Sequence, residues 1–187
     1  METDRMAKES PDDENLLERV GEGDGAAFAV LVRRHSDRYY RLAYRYTARH
    51  EEAEDIVQAA FIKLWETPDI WDPRRGARFT TWFYRIVVNL CLDSRKKRGE
   101  TAIPESIEPK DENPDSESKV AENEARALLA REIKRLPPRQ KTALLLCFYE
   151  ELRHEDAAGI MKVSVSALRS LLMRAKETLR REMDRYF

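Results

Sequence analysis

Apolar residues along this chain recur at steps of three and four rather than two, a spacing that predicts helices throughout. The first such stretch begins near Asp13, carries Leu16, Leu17 and Val20, and breaks at Gly21-Glu-Gly-Asp-Gly. From Ala26 to about Ala48 a longer stripe runs through Phe28, Leu31, Val32, His35, Tyr39, Leu42, Ala43 and Tyr46. His35 lies on that stripe, where a core or boundary role is expected rather than a ligand. Between Glu51 and Glu66, Ala53, Val57, Ala60 and Leu64 centre an apolar face flanked by Ile56 and Phe61. Over 79–98, Phe79, Trp82, Phe83, Ile86 and Leu90 share one sector of a helix that Gly99 stops.

Beyond Gly99 the period is lost. Residues 100–121 hold prolines at 104, 109 and 114 among many acids, the composition of a linker. Helical spacing returns near Glu122 with Ala125, Leu128, Leu129, Ile133 and Leu136, and ends at Pro137-Pro138. Arg139–Glu151 then carries Ala143, Leu144, Leu145, Cys147 and Phe148. A short helix at His154–Met161 and a turn at Lys162-Val163 follow. Ser164 is a natural N-cap for a last helix whose core face is Val165, Leu168, Leu172, Ala175 and Leu179. The expected architecture is all-α. A disordered tail (1–12) precedes two small helical domains, 13–98 and 122–187, joined by a flexible acidic linker, 99–121.

Composition supports helices: 37% of the 187 residues are charged and only six are glycine. The net charge of −1 conceals a sorting of charge along the chain. Residues 100–124 carry nine acids against two bases, whereas 71–98 carry eight bases against two acids and 162–185 seven against three. Two basic helices separated by an acidic stretch point to nucleic acid more than any bulk figure does. Cys91 and Cys147 sit in apolar runs with no Cys or His at ligand spacing, so both read as small core residues. There is no long apolar run and the N-terminus is acidic, which predicts a soluble, cytoplasmic protein. No nucleophile–base pattern, phosphate loop or metal-ligand cluster appears, so no catalytic or metal residues and no cofactor are expected.

Three stretches carry candidate chemistry. Opposite the core face of 79–98 lie Thr81, Tyr84, Arg85, Val88, Leu92 and Arg95, and the helix runs out through Lys96, Lys97 and Arg98. Aromatic and hydroxyl groups interleaved with arginine suit unstacked bases and phosphates. A buried amphipathic helix whose basic end complements its own dipole fits the same residues. On 51–66, Asp55, Gln58, Ala59 and Ile62 face away from the core, which makes Ile62 either an incidental exposed residue or the centre of a docking patch. In the last helix Ser166, Ala167, Arg169, Ser170, Met173 and Arg174 remain on or near the outer face. With the short helix before it, this is a helix-turn-helix whose first turns would meet base edges in a major groove, or else an ordinary αα-hairpin.

Taken together, DGAAFAVLVRRHSDRYYRLAYRY, EEAEDIVQAAFIKLW, RFTTWFYRIVVNLCLDSRKKR, LPPRQKTALLLCFYEEL and HEDAAGIMKVSVSALRSLLMRAKETLR, in this order, resemble the extracytoplasmic-function sigma factors of bacterial RNA polymerase. The resemblance implies a non-enzymatic subunit that binds core polymerase through the β′ coiled coil and the β subunit. It would recognise minus-10 and minus-35 promoter DNA, nucleate melting and take no small-molecule substrate. It assigns polymerase docking to Asp55, Gln58, Ala59 and Ile62. Minus-10 contacts fall to Trp71, Asp72, Arg74, Arg75, Arg78, Tyr84, Arg85, Asn89, Arg95, Lys96 and Lys97, with a pocket for a flipped base among the first of these. Minus-35 contacts fall to Lys162, Ser164, Ser166, Ala167, Arg169, Ser170, Met173 and Arg174. The acidic linker would mimic phosphate charge in polymerase channels, and an anti-sigma protein is an implied partner. The chain departs from the pattern at Ala59, where relatives often carry an acid, and at Lys162, where they usually carry glycine. Leu171 and Met173 also replace polar or basic residues. The alternatives are a stand-alone helix-turn-helix regulator and a helical protein-interaction adaptor.

Overall fold

The computed structural model describes residues 12–68, 79–97 and 117–186, and among them there are helices and turns but no strands. Helix α1 (Asp13–Gly21) starts on Asp12, whose carboxylate accepts from the Asn15 amide at 2.8 Å. Gly23, at φ 87°, turns the chain into α2 (Gly25–Thr47), as only glycine does without strain. Asp24 caps α2 by accepting from the amides of Ala26 and Ala27, and Arg19 closes on the same carboxylate at 2.6 Å. The Ala27 amide, with Arg19, holds the Asp24 carboxyl below its ordinary range.

Helices α3 (His50–Glu66) and α4 (Phe79–Lys97) pack on α2 around aromatic rings. Phe83 is fully buried, with ring centres 4.7 Å from Tyr39, 4.9 Å from Phe61 and 5.4 Å from Phe79. His35 belongs to this core as expected: its Nε2 donates to Asp13 at 2.8 Å and its ring packs on Phe79. Cys91 is buried, and burial pushes its thiol up to about 12. The centre of α4's core face differs from the expectation. Phe79, Phe83, Val87 and Cys91 are buried there, while Trp82, Ile86 and Leu90 are only half-buried.

The second unit begins with α5 (Glu117–Arg135), which starts within the stretch expected to be linker. No glycine or proline interrupts 117–135, so helix formers extend the element ahead of its first apolar contact. Pro138 occupies the first turn of α6 (Pro138–Leu144), where its missing amide costs nothing. Residues Leu145–Tyr149 then continue as a π-helix, with the Glu150 amide donating to the Leu145 carbonyl at 3.0 Å, where an uninterrupted α-helix was expected. Helices α7 (His154–Met161) and α8 (Val165–Met183) complete the unit. Ile133, Leu136, Leu144, Ala175 and Leu179 form an aliphatic core under α5, while Leu146, Ala157, Ile160 and Leu168 are continuous with the apolar core of the first unit. The two units are therefore packed against one another, chiefly where α7 meets α4.

Candidate nucleic-acid interface

Helix α3 turns Ala53, Ile56, Val57, Ala60, Phe61 and Leu64 inward, which leaves Asp55, Gln58, Ala59 and Ile62 exposed together. Ile62 retains 47% of its surface. It borders a groove of about 600 Å³ between α2 and α3, lined by Phe28, Val32, Tyr40, Gln58 and Phe61. Trp65, missed in the sequence, extends the same surface: it is exposed and its ring centre lies 5.1 Å from that of Phe28. Its position three residues after Ile62 was the available signal.

Helix α4 divides its predicted DNA residues between two environments. Asn89, Lys96 and Lys97 are exposed and Arg95 is half-buried; Lys96 approaches Asp93 at 3.8 Å, a surface pair of little energetic weight. Tyr84 does not face solvent. It is fully buried where the second unit packs on α4, and Val88 is buried as well. The Tyr84 hydroxyl donates to Glu150 Oε2 at 2.5 Å, and its ring centre lies 5.1 Å from that of Tyr39. Burial, and then that hydrogen bond to Glu150, raise its pKa. Arg85 is also engaged: its Nη2 donates to the Gly159 carbonyl at 2.9 Å, in the last turn of α7, while its buried Nε has no acceptor. Trp71, Asp72, Arg74, Arg75 and Arg78 lie outside the described residues.

In the α7–turn–α8 motif, Lys162 adopts φ 52° and ψ 50°, the left-handed conformation that glycine accommodates at less cost. Ser164 caps α8 by accepting from the Ala167 amide at 3.1 Å. Leu168, Leu172, Ala175 and Leu179 are buried, and Ser166, Ala167, Arg169, Ser170, Met173 and Arg174 are all exposed. A helix seated in this way offers hydroxyls, a thioether and two guanidinium groups on one accessible face.

The sequence reading also missed Glu150, Arg38, Arg45 and Lys141, which join the two units. Glu150 follows the π-helix, and its side chain is 4% exposed. Besides Tyr84, it accepts from Arg38 Nε at 3.2 Å and lies 3.4 Å from Arg45 Nη1. Lys141, buried in α6, donates from Nζ to the Tyr46 carbonyl at 2.9 Å, placing a cation at the C-terminal end of α2. Among the described residues no group of three His, Cys, Asp or Glu side chains is placed to hold a metal.

Known proteins share this arrangement. Residues 31–101 match Sigma-70 region 2 and residues 126–179 match Sigma-70, region 4. The chain is 34% identical to the ECF RNA polymerase sigma factor SigE of Mycolicibacterium smegmatis over 84% of its own length and 63% of that protein's. It is 33% identical to the RNA polymerase sigma-H factor of Pseudomonas aeruginosa, covering 89% of this chain and 91% of that one. Among solved structures, CnrH bound to the cytosolic domain of CnrY superposes with a TM-score of 0.68 at 23% identity, covering 92% of this chain and 97% of that one. The sigma factor RpoE of Bartonella quintana, solved with the anti-sigma factor NepR, gives 0.67 at 20% identity, covering 84% and 96%. The structural likenesses establish the fold, and the sequence relationships establish the lineage. The chain belongs to the extracytoplasmic-function sigma factors, the RNA polymerase subunits that direct promoter-specific transcription initiation.

Proposed function

We propose that the three surfaces divide the work of a sigma factor, with residues 13–98 as sigma domain 2 and 122–187 as sigma domain 4. The exposed face of α3, with Asp55, Gln58, Ala59 and Ile62, docks on the β′ coiled coil, and Trp65 with the adjoining groove widens that contact. Ile62 is the apolar anchor of a polar-rimmed patch. Asn89, Arg95, Lys96 and Lys97 on α4, with Trp71, Asp72, Arg74, Arg75 and Arg78 before it, contact the minus-10 element and hold it open. Positive charge at the end of α4 replaces counterions on the phosphates, and the loop residues capture an unstacked base. Ser166, Ala167, Arg169, Ser170, Met173 and Arg174 read the minus-35 element, with Lys162 and Ser164 on its backbone.

The chain contributes specificity and polymerase performs the chemistry, so it acts without a catalytic residue, in the cytoplasm where polymerase works. An anti-sigma factor is its regulatory partner. One observation carries the reading: α3 and α8 each keep a complete outer face in solvent, in the order of the region 2 and region 4 matches. The test is run-off transcription by purified core polymerase on fragments of the source genome. Discrete transcripts are expected only when the chain is added, and they should be lost when Arg95, Lys96 and Lys97 are all replaced by Glu. Transcripts that survive this charge reversal unchanged would refute the role given to α4; no new start sites at all would leave a helix-turn-helix that acts on duplex DNA alone.

A further inference from the structure

A cavity of about 290 Å³ lies between the C-terminal end of α2 and one face of α5, and among the described residues none of α4 lines it. Its α5 wall carries Arg126, Ala130 and Lys134, spaced four apart on one side of the helix, with Ala127 beside them. Small side chains at 127 and 130, both exposed, leave the space that larger apolar residues would fill. The remaining wall brings in two phenol rings, Tyr44 from α2 and Tyr149 from the π-helix. Both rings are braced by neighbours. His50 stacks on Tyr44 with ring centres 4.5 Å apart and is bonded to the Tyr40 hydroxyl at 2.6 Å, while the Arg45 guanidinium lies 4.6 Å from the centre of Tyr149.

The charge around this space is of one sign. Arg45, Arg126 and Lys134 line it, and among the described residues no acid does. Arg45 already reaches Glu150 at 3.4 Å. Lys134, half-buried, meets no carboxylate and no hydrogen-bond acceptor among the described residues, and burial alone lowers its pKa. An ammonium partly withdrawn from water without a partner is costly until an anion meets it. The volume falls at the small end of ligand cavities, about 300 Å³, which is too little for a peptide helix or a length of nucleic acid. A long acyl chain needs an enclosed apolar tunnel, whereas this space is edged by cations and phenol hydroxyls. Flat rings suit a base and cations suit a phosphate. We propose that this cavity binds a free nucleoside monophosphate, its base against Tyr44 and Tyr149 and its phosphate on Lys134 and Arg126. Because both units contribute walls, bound nucleotide also stabilises the full chain against unfolding.

The test is isothermal titration of the full chain, without polymerase or promoter, with AMP, GMP, CMP and UMP. At least one should give a single-site isotherm, and its nucleoside or inorganic phosphate, each carrying half of the recognised chemistry, should bind at least tenfold more weakly. Lys134→Met keeps the aliphatic stem and removes the charge. Ala130→Leu fills the cavity at an exposed position, with a residue that helices accept readily. Each substitution should weaken the nucleotide at least tenfold, with circular dichroism showing both variants as helical as the parent. The proposal is overturned if none of the four nucleotides binds at millimolar concentration, if nucleoside or inorganic phosphate binds as well, or if dodecanoate binds in their place. Affinity that rises from the mononucleotide to a pentanucleotide of the same base would assign the cavity to a strand instead, and binding untouched by both substitutions would place the nucleotide elsewhere; either result also overturns it.

Discussion

Helices α4 and α8 are both 19 residues long, both amphipathic, and both assigned to promoter DNA, yet their outer faces meet different fates. All six outward residues of α8 from Ser166 to Arg174 are in solvent, whereas α4 has Tyr84 buried and Arg85 bonded to α7. The helix proposed to read the minus-35 element is available, while part of the helix proposed to open the minus-10 element is covered. An apolar stripe reveals which side of a helix must be covered; it is silent on whether a segment distant in sequence will cover another side too.

The comparison depends on α4 being seated firmly on α2 and α3, and Phe83→Ala should break it most severely. Removing a fully buried ring with neighbours on three elements should cost about 3–5 kcal/mol, read as a large fall in the urea midpoint. An unchanged midpoint would contradict the packing described. Next in size, Arg169→Ala and Arg174→Ala should each weaken holoenzyme binding to a minus-35 duplex by about 1–3 kcal/mol if they read bases. Competition against altered sites distinguishes base reading, which relaxes specificity, from a phosphate contact, which weakens every site equally.

Lys162→Gly should act on stability in the opposite direction. At φ 52° it relieves a left-handed lysine, worth at most about 1 kcal/mol, and thermal unfolding should move upward. If minus-35 affinity drops in the same variant, the lysine offsets its backbone strain by touching phosphate. The smallest effect concerns His35. Burial holds its pKa below the ordinary value of 6.5 despite the neighbouring Asp13, so the folded chain favours the neutral ring. The unfolded chain takes up the proton first, and stability present above pH 6.5 is lost as pH falls through the lowered folded value. A urea midpoint that declines from pH 7.5 to 5.5 in the parent should decline less in His35→Gln.

Much of this was legible in the sequence. The six buried positions of α3 and the exposure of Ile62 followed from helical spacing, and Ser164 announced α8 by its chemistry. Tyr84 was misplaced because its cover comes from Glu150, 66 residues away, and a helical wheel contains no such neighbour. Arg38 and Arg45 drew no reading for the same reason: their partner lies 112 and 105 residues along the chain. Within LLLCFYEEL, five residues are too few for apolar spacing to separate a π turn from an α turn.

That π turn has a consequence for how such proteins diverge. A π-helix accommodates one more residue per turn than the α-helix it interrupts, so it is the footprint of a single-residue insertion. Were one residue deleted between Leu145 and Tyr149, the helix could close with ordinary geometry, and because five π-helical residues sweep nearly the same arc as four α-helical ones, Glu150 would keep its direction toward Arg38 and Arg45. Leu144 and the core beneath it would keep their places. A single codon can thus be gained or lost at this turn while the contact between the two halves survives, giving descendants of one ancestral gene room to vary in length without losing the joint.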